Sequence, residues 1–132
     1  MKSTTIDKYL KYVNKIEQLA QTRWYYYVNN NFIIEVSICE HNLSNPNDLM
    51  NIWKQHGFID EVKDTHININ TFYTNEKGEC IGKYNITERR KGTRQVINFD
   101  YLLDATDKNI KLLVAECIRL YVKGERLQNA YA

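Results

Sequence analysis

The segment from Gln95 to Gly124 constrains the fold more than any other part of the chain. Its first part alternates, so Ile97, Phe99 and Tyr101 fall on one side of a strand and Val96, Asn98 and Asp100 on the other, because strand side chains point to opposite faces in turn. After the turn Leu102-Leu103-Asp104-Ala105, the residues Ile110, Leu113, Val114, Cys117, Leu120 and Tyr121 recur along one stripe of an α-helix. Asp104 and Thr106 supply the turn and the helix N-cap. A helix with one apolar stripe must cover another apolar surface, and the preceding strand supplies a sheet. The segment therefore reads as a scaffold, and no catalytic or cofactor motif lies in it.

The chain has 132 residues, the size of one domain, and is read as a single unit over residues 1–132. Its net charge is +2 with histidine neutral, so any attraction to nucleic acid has to come from a local patch. No run of 18 apolar residues spans a membrane, and the N-terminus lacks the apolar stretch of a signal peptide. A cytoplasmic protein is expected. Cys39, Cys80 and Cys117 are odd in number and widely spaced, which does not make a disulfide framework.

Thr4 to Thr22 carries Ile6, Tyr9, Leu10, Val13, Ile16 and Leu19 or Ala20 at helical spacing, with Thr4 and Asp7 placed as a cap and its partner. Arg23 to Val28 and Phe32 to Glu40 are rich in aromatic and β-branched residues, and Asn29-Asn30-Asn31 between them predicts a hairpin. A short helix of about three turns follows a loop at 42–47, with Asn45 as N-cap, Pro46 at the first position, Asp48 in the first turn, and Leu49, Ile52, Trp53 and His56 on one side. Gly57 is placed to close it. From Thr65 the period becomes two; turns at Asn75–Gly78 and Arg90–Thr93 predict a three-stranded meander ending in the opening strand. The order α-β-β-α-β-β-β-α predicts an α+β fold with an antiparallel sheet of about five strands and helices mainly on one face. An exposed sheet edge would admit a symmetric dimer, but the oligomeric state is not fixed by the sequence.

Three groups of residues carry candidate chemistry. Cys39, His41, His56 and His66 are of the types that bind zinc, yet the short paired spacings of a zinc site are absent. The ordinary reading, with His41 in a loop, His56 near a helix C-terminus and His66 on the polar side of the sheet, is favoured, and no metal or cofactor is expected. The five glycines are isolated, so no phosphate loop exists, and Glu35 with Glu88 forms a carboxylate pair only if their strands are neighbours. The second group is the basic tip Arg89, Arg90, Lys91 and Arg94, able to contact phosphates or simply to solubilise a hairpin end. The third is Trp24-Tyr25-Tyr26-Tyr27: alternation sends Trp24 and Tyr26 to the core with Ile34 and Val36, and Tyr25 and Tyr27, with Phe72, to the opposite face, which is either a partner-binding surface or is covered by a helix, making the tyrosines ordinary core with their hydroxyls at the edge.

The stretches Asn47-Asp48-Leu49-Met50-Asn51-Ile52-Trp53-Lys54-Gln55-His56-Gly57-Phe58-Ile59, Gly78-Glu79-Cys80-Ile81-Gly82-Lys83-Tyr84-Asn85 and Ile97-Asn98-Phe99-Asp100-Tyr101-Leu102-Leu103-Asp104-Ala105-Thr106 resemble small accessory proteins of phages and conjugative elements of low-GC Gram-positive bacteria. Such proteins include anti-CRISPR inhibitors. The resemblance implies a non-enzymatic protein that occupies a surface of a nuclease or its guide-RNA complex, and it carries over no individual functional residue. Nucleic acid is the alternative partner, through the basic tip, and a zinc-dependent enzyme or zinc-stabilised fold is the second alternative; a membrane partner is not expected.

Overall fold

Strand Phe32–Glu40 lies at the centre of the chain's pairing, with antiparallel partners on both sides. The computed structural model describes residues 3–29, 32–74, 80–84 and 98–130. In chain order the elements are α1 (Ser3–Leu10), β1 (Val13–Ala20), β2 (Arg23–Val28), β3 (Phe32–Glu40), α2 (Leu49–Gln55), β4 (Thr65–Thr74), β5 (Cys80–Tyr84), β6 (Asn98–Tyr101) and α3 (Asp107–Ala130). The six strands form one antiparallel sheet in the order β1-β2-β3-β4-β5, with β6 also on β4. The class is α+β.

Residue types account for most of these elements. β2 and β3 are built from aromatic and β-branched residues, and Asn29 at the end of β2 takes a φ of 56°, a left-handed conformation that asparagine tolerates. α3 begins where Thr106 caps it: the Thr106 Oγ1 accepts the Asn109 N–H at 3.2 Å. The helix continues past Gly124 to Ala130. Its stripe is wider than the spacing alone suggests, because Ala115 and Ile118 are fully buried beside Ile110, Leu113, Val114, Cys117 and Tyr121.

One face of the sheet carries the core. Val28, Phe32, Ile34, Val36, Ile67 and Ile69 pack against the α3 stripe, with Tyr9 and Leu10 of α1 and Trp24, Tyr26 and Tyr101 at the margin. The Phe32 and Tyr121 rings stack at 4.3 Å with planes 6° apart. Each fully buried aliphatic side chain here stabilises the fold by about 1.5–3 kcal/mol.

Three sequence expectations need correction. The helix expected over Thr4–Thr22 stops at Leu10, and Val13–Ala20 is strand β1. Its apolar positions suit either period, but β2 would otherwise present unpaired N–H and C=O groups along its edge, and β1 satisfies them. The expected meander is also rearranged, because β6 pairs with β4. β4 is ten residues long; β5 takes its Thr71–Thr74 half, and β6 fills the remaining ladder over Ile67–Asn70.

The second helix is shorter than expected, seven residues, and Asp48 rather than Asn45 is its N-cap. Asn45 instead turns the preceding loop by accepting the Asn47 N–H at 3.0 Å. Met50 is its fully buried anchor, whereas Leu49 is 45% exposed. Gly57 does close the helix, with a φ of +76° that a side chain would strain. The helices lie mainly on one face, as expected: α1 and α3 share it, while Trp53 of α2 meets His66 across the other.

Candidate functional site

The face of the sheet away from α3 is polar and aromatic, and register places its side chains in rows. One row runs Lys15, Tyr27, Ile33, Phe72; the next runs Glu17, Tyr25, Glu35, Asn70; a third holds Arg23, Ser37, Asn68 and Asp100. Cys39 lies opposite His66 at the end. Three aromatic residues of this face lie close together. The Tyr25 ring meets Tyr27 edge-on at 6.1 Å and Phe72 at 6.4 Å, the geometry that the ring quadrupole favours. Lys15 Nζ stands 5.3 Å over the Tyr27 ring, and Glu17 accepts the Tyr27 hydroxyl at 3.3 Å.

From this aromatic end a hydrogen-bonded chain crosses the sheet. The Arg23 guanidinium donates to Glu35 Oε2 at 3.2 and 3.3 Å, and Asn70 Nδ2 donates to Glu35 Oε1 at 3.0 Å and to Asn68 Oδ1 at 2.9 Å. Asn68 Nδ2 then donates to Asp100 Oδ1 at 2.8 Å. These partners fix which way the Asn70 amide points. Among the described residues its buried Oδ1 has no partner.

Beyond Asp100 the chain passes through two histidines. His66 Nε2 lies 2.8 Å from Asp100 Oδ1, His41 Nδ1 lies 2.8 Å from Asp48 Oδ1, and His41 Nε2 lies 2.6 Å from His66 Nδ1. The His41 and His66 side chains are only 6% and 3% exposed. Their ring centroids are 4.9 Å apart and the planes differ by 21°, so the rings meet nitrogen to nitrogen, edge against edge. Which nitrogen donates at each of these three contacts is set by the tautomers of the two rings.

The loop that holds this pair is built around Asp48. Its Oδ1 accepts the Met50 N–H and its Oδ2 the Asn42 N–H, both at 2.9 Å. The Met50 N–H does most to hold the Asp48 carboxyl below the usual carboxylate range; burial opposes it, and Asn42 and His41 add to the lowering. At Cys39 burial is the main reason the thiol is pushed up, with the Asp100 charge adding to it. A thiol shifted that way is a weaker nucleophile at neutral pH.

Of the four candidate zinc ligands, the fold brings His41 and His66 into contact and sets Cys39 in register beside His66. His56 goes elsewhere, with its ring stacked 5.8 Å from Phe58. The two facing nitrogens at 2.6 Å are too close to sit together on one zinc at about 2.0–2.1 Å each in a tetrahedron. No group of three ligating side chains converges among the described residues. Glu35 has β2 and β4 as its strand's neighbours, and Glu88 lies outside the described residues, as do Arg89, Arg90, Lys91 and Arg94.

Tyr25 and Tyr27 stand where alternation places them, on the face opposite Trp24 and Tyr26, and both are half-buried. The sequence reading missed Asp48, Asn68, Asn70 and Asp100 as members of one polar system. His66, Asn68 and Asn70 alternate visibly along β4, which marks a polar face. Their partners come from β3, β6 and the loop before α2, and only strand order reveals that. Among the described residues no helix is long and apolar enough to cross a membrane. The chain matches no protein-family model, and comparison with curated proteins and with solved structures gives no match.

Proposed function

We propose that this chain is a non-enzymatic binding protein of a mobile genetic element that engages a protein partner through the sheet face bearing Tyr25 and Tyr27. Following the resemblance, the partner is a host defence nuclease such as a CRISPR effector, inhibited by occlusion of a surface it needs. The observation that carries the reading is the grouping of Tyr25, Tyr27 and Phe72 on that face. Rigid amphipathic rings ringed by charges are the side chains that dominate protein interfaces. Lys15, Glu17 and Arg23 supply the rim.

The hydrogen-bonded chain from Arg23 to Asp48 supports the same reading. Its groups hold one another, which stiffens the face and lowers the entropy lost when a partner docks. The test is co-purification with a panel of effector complexes. The double variant Tyr25→Ala/Tyr27→Ala should bind at least about tenfold more weakly, each interfacial tyrosine contributing on the order of 1–2 kcal/mol. Nuclease inhibition without stable association would count against occlusion. Alanine at Arg89, Arg90, Lys91 and Arg94 separates a guide-RNA contribution, which would be recognised by a steep loss of affinity with salt.

A further inference from the structure

We propose that the outer edge of β1 pairs with β1 of a second copy of this chain, antiparallel and centred on Ile16. β1 ends the strand order, so no strand among the described residues covers its outer edge. Its side chains suit a partner: Ile16 is 57% exposed and Leu19 41%, although both are large and apolar.

The charges decide which partner fits. In an antiparallel pair about Ile16, Lys15 of one copy stands directly opposite Glu17 of the other, twice by symmetry, and Ile16 meets Ile16. Cross-strand opposite charges and paired β-branched residues are both stabilising. Lys15 and Glu17 already lie 3.3 Å apart within one chain, with side chains 63% and 39% exposed, so both are available to a neighbour. Charges on an edge strand ordinarily repel pairing. Here the pattern is self-complementary, so it admits a second copy while opposing strands with other charge patterns. Register irregularities after Val13 and before Ala20 bound the regular stretch and limit the contact to its centre.

The twofold axis of such a pair stands perpendicular to the sheet, which keeps both tyrosine faces on the same side. The two copies of β2 are then three strand spacings apart, about 14 Å. The pairing does not depend on what the tyrosines bind, and its test is separate from that of the binding reading.

Sedimentation equilibrium between about 10 μM and 1 mM, the range of weak self-association, should show the 15.7 kDa chain passing to twice that mass. K15E and E17K, each placing like charges opposite, should weaken association at least tenfold while leaving circular dichroism unchanged. An equimolar mixture of K15E and E17K restores opposite charges and should dimerise again. Should either single variant fail to fold, the double swap K15E/E17K keeps the complementarity and must dimerise like the wild type. A chain that stays monomeric throughout overturns the proposal, as does a dimer indifferent to both reversals, or a mixture or double swap that remains monomeric.

Discussion

Glu35 shows at the level of one residue how this face is held. It is 9% exposed, a position where a lone carboxylate would be costly. It is tolerated because Arg23 holds one oxygen and Asn70 the other. Arg23 is half exposed, so water screens the ion pair and its net contribution is modest. Glu35→Ala also removes a partner of buried Asn70, whose amide nitrogen would keep only Asn68 among the described residues. A loss of about 1–3 kcal/mol is expected in urea unfolding, and Glu35→Gln should cost less because it retains an acceptor for Asn70. The three-row arrangement was half legible: the alternation of β3 and β4 places Glu35 and Asn70 on the polar side of each strand, but not opposite one another.

At the level of the element, α2 shows how a short helix can be fixed by its ends and one anchor. Seven residues are too few to form a helix alone. Met50 is fully buried, and Met50→Ala should cost about 2–5 kcal/mol in chemical unfolding. Asp48 adds a pH dependence whose sign follows from its lowered pKa. The ionised carboxylate contributes its stabilisation above the unfolded value near about 3.9, and that contribution is lost as pH falls through the lower folded value. The urea midpoints of wild type and Asp48→Asn should therefore differ most near neutral pH and converge in acid. The helix itself was readable from Pro46, Asp48 and Gly57. Its cap was not, because Asn45 and Asp48 are equally able N-caps by residue type and only the loop's hydrogen bonds distinguish them.

For the whole molecule, the sheet's apolar face and α3 form the core on which the polar face depends. Ile34 has no exposed surface, and Ile34→Ala should lower stability by about 2–5 kcal/mol through lost burial and the cavity left behind. Cys117 lies in the same core, and burial pushes its thiol up. It should react with thiol reagents only once the chain unfolds.

The α+β class, the β2–β3 hairpin and the scaffold helix α3 were determined by the sequence itself, because period two and period 3.6 are local patterns that survive without partners. Three things were decided only in the tertiary structure. β1 is a strand because β2 has an edge to satisfy, β6 joins β4 because β5 covers only half of it, and Asp48, His41, His66 and Asp100 form one hydrogen-bonded chain because three separate elements converge. Each outcome depends on pairing between segments distant in sequence, and hydrogen-bond partners across a sheet leave no periodic mark on the chain that supplies them.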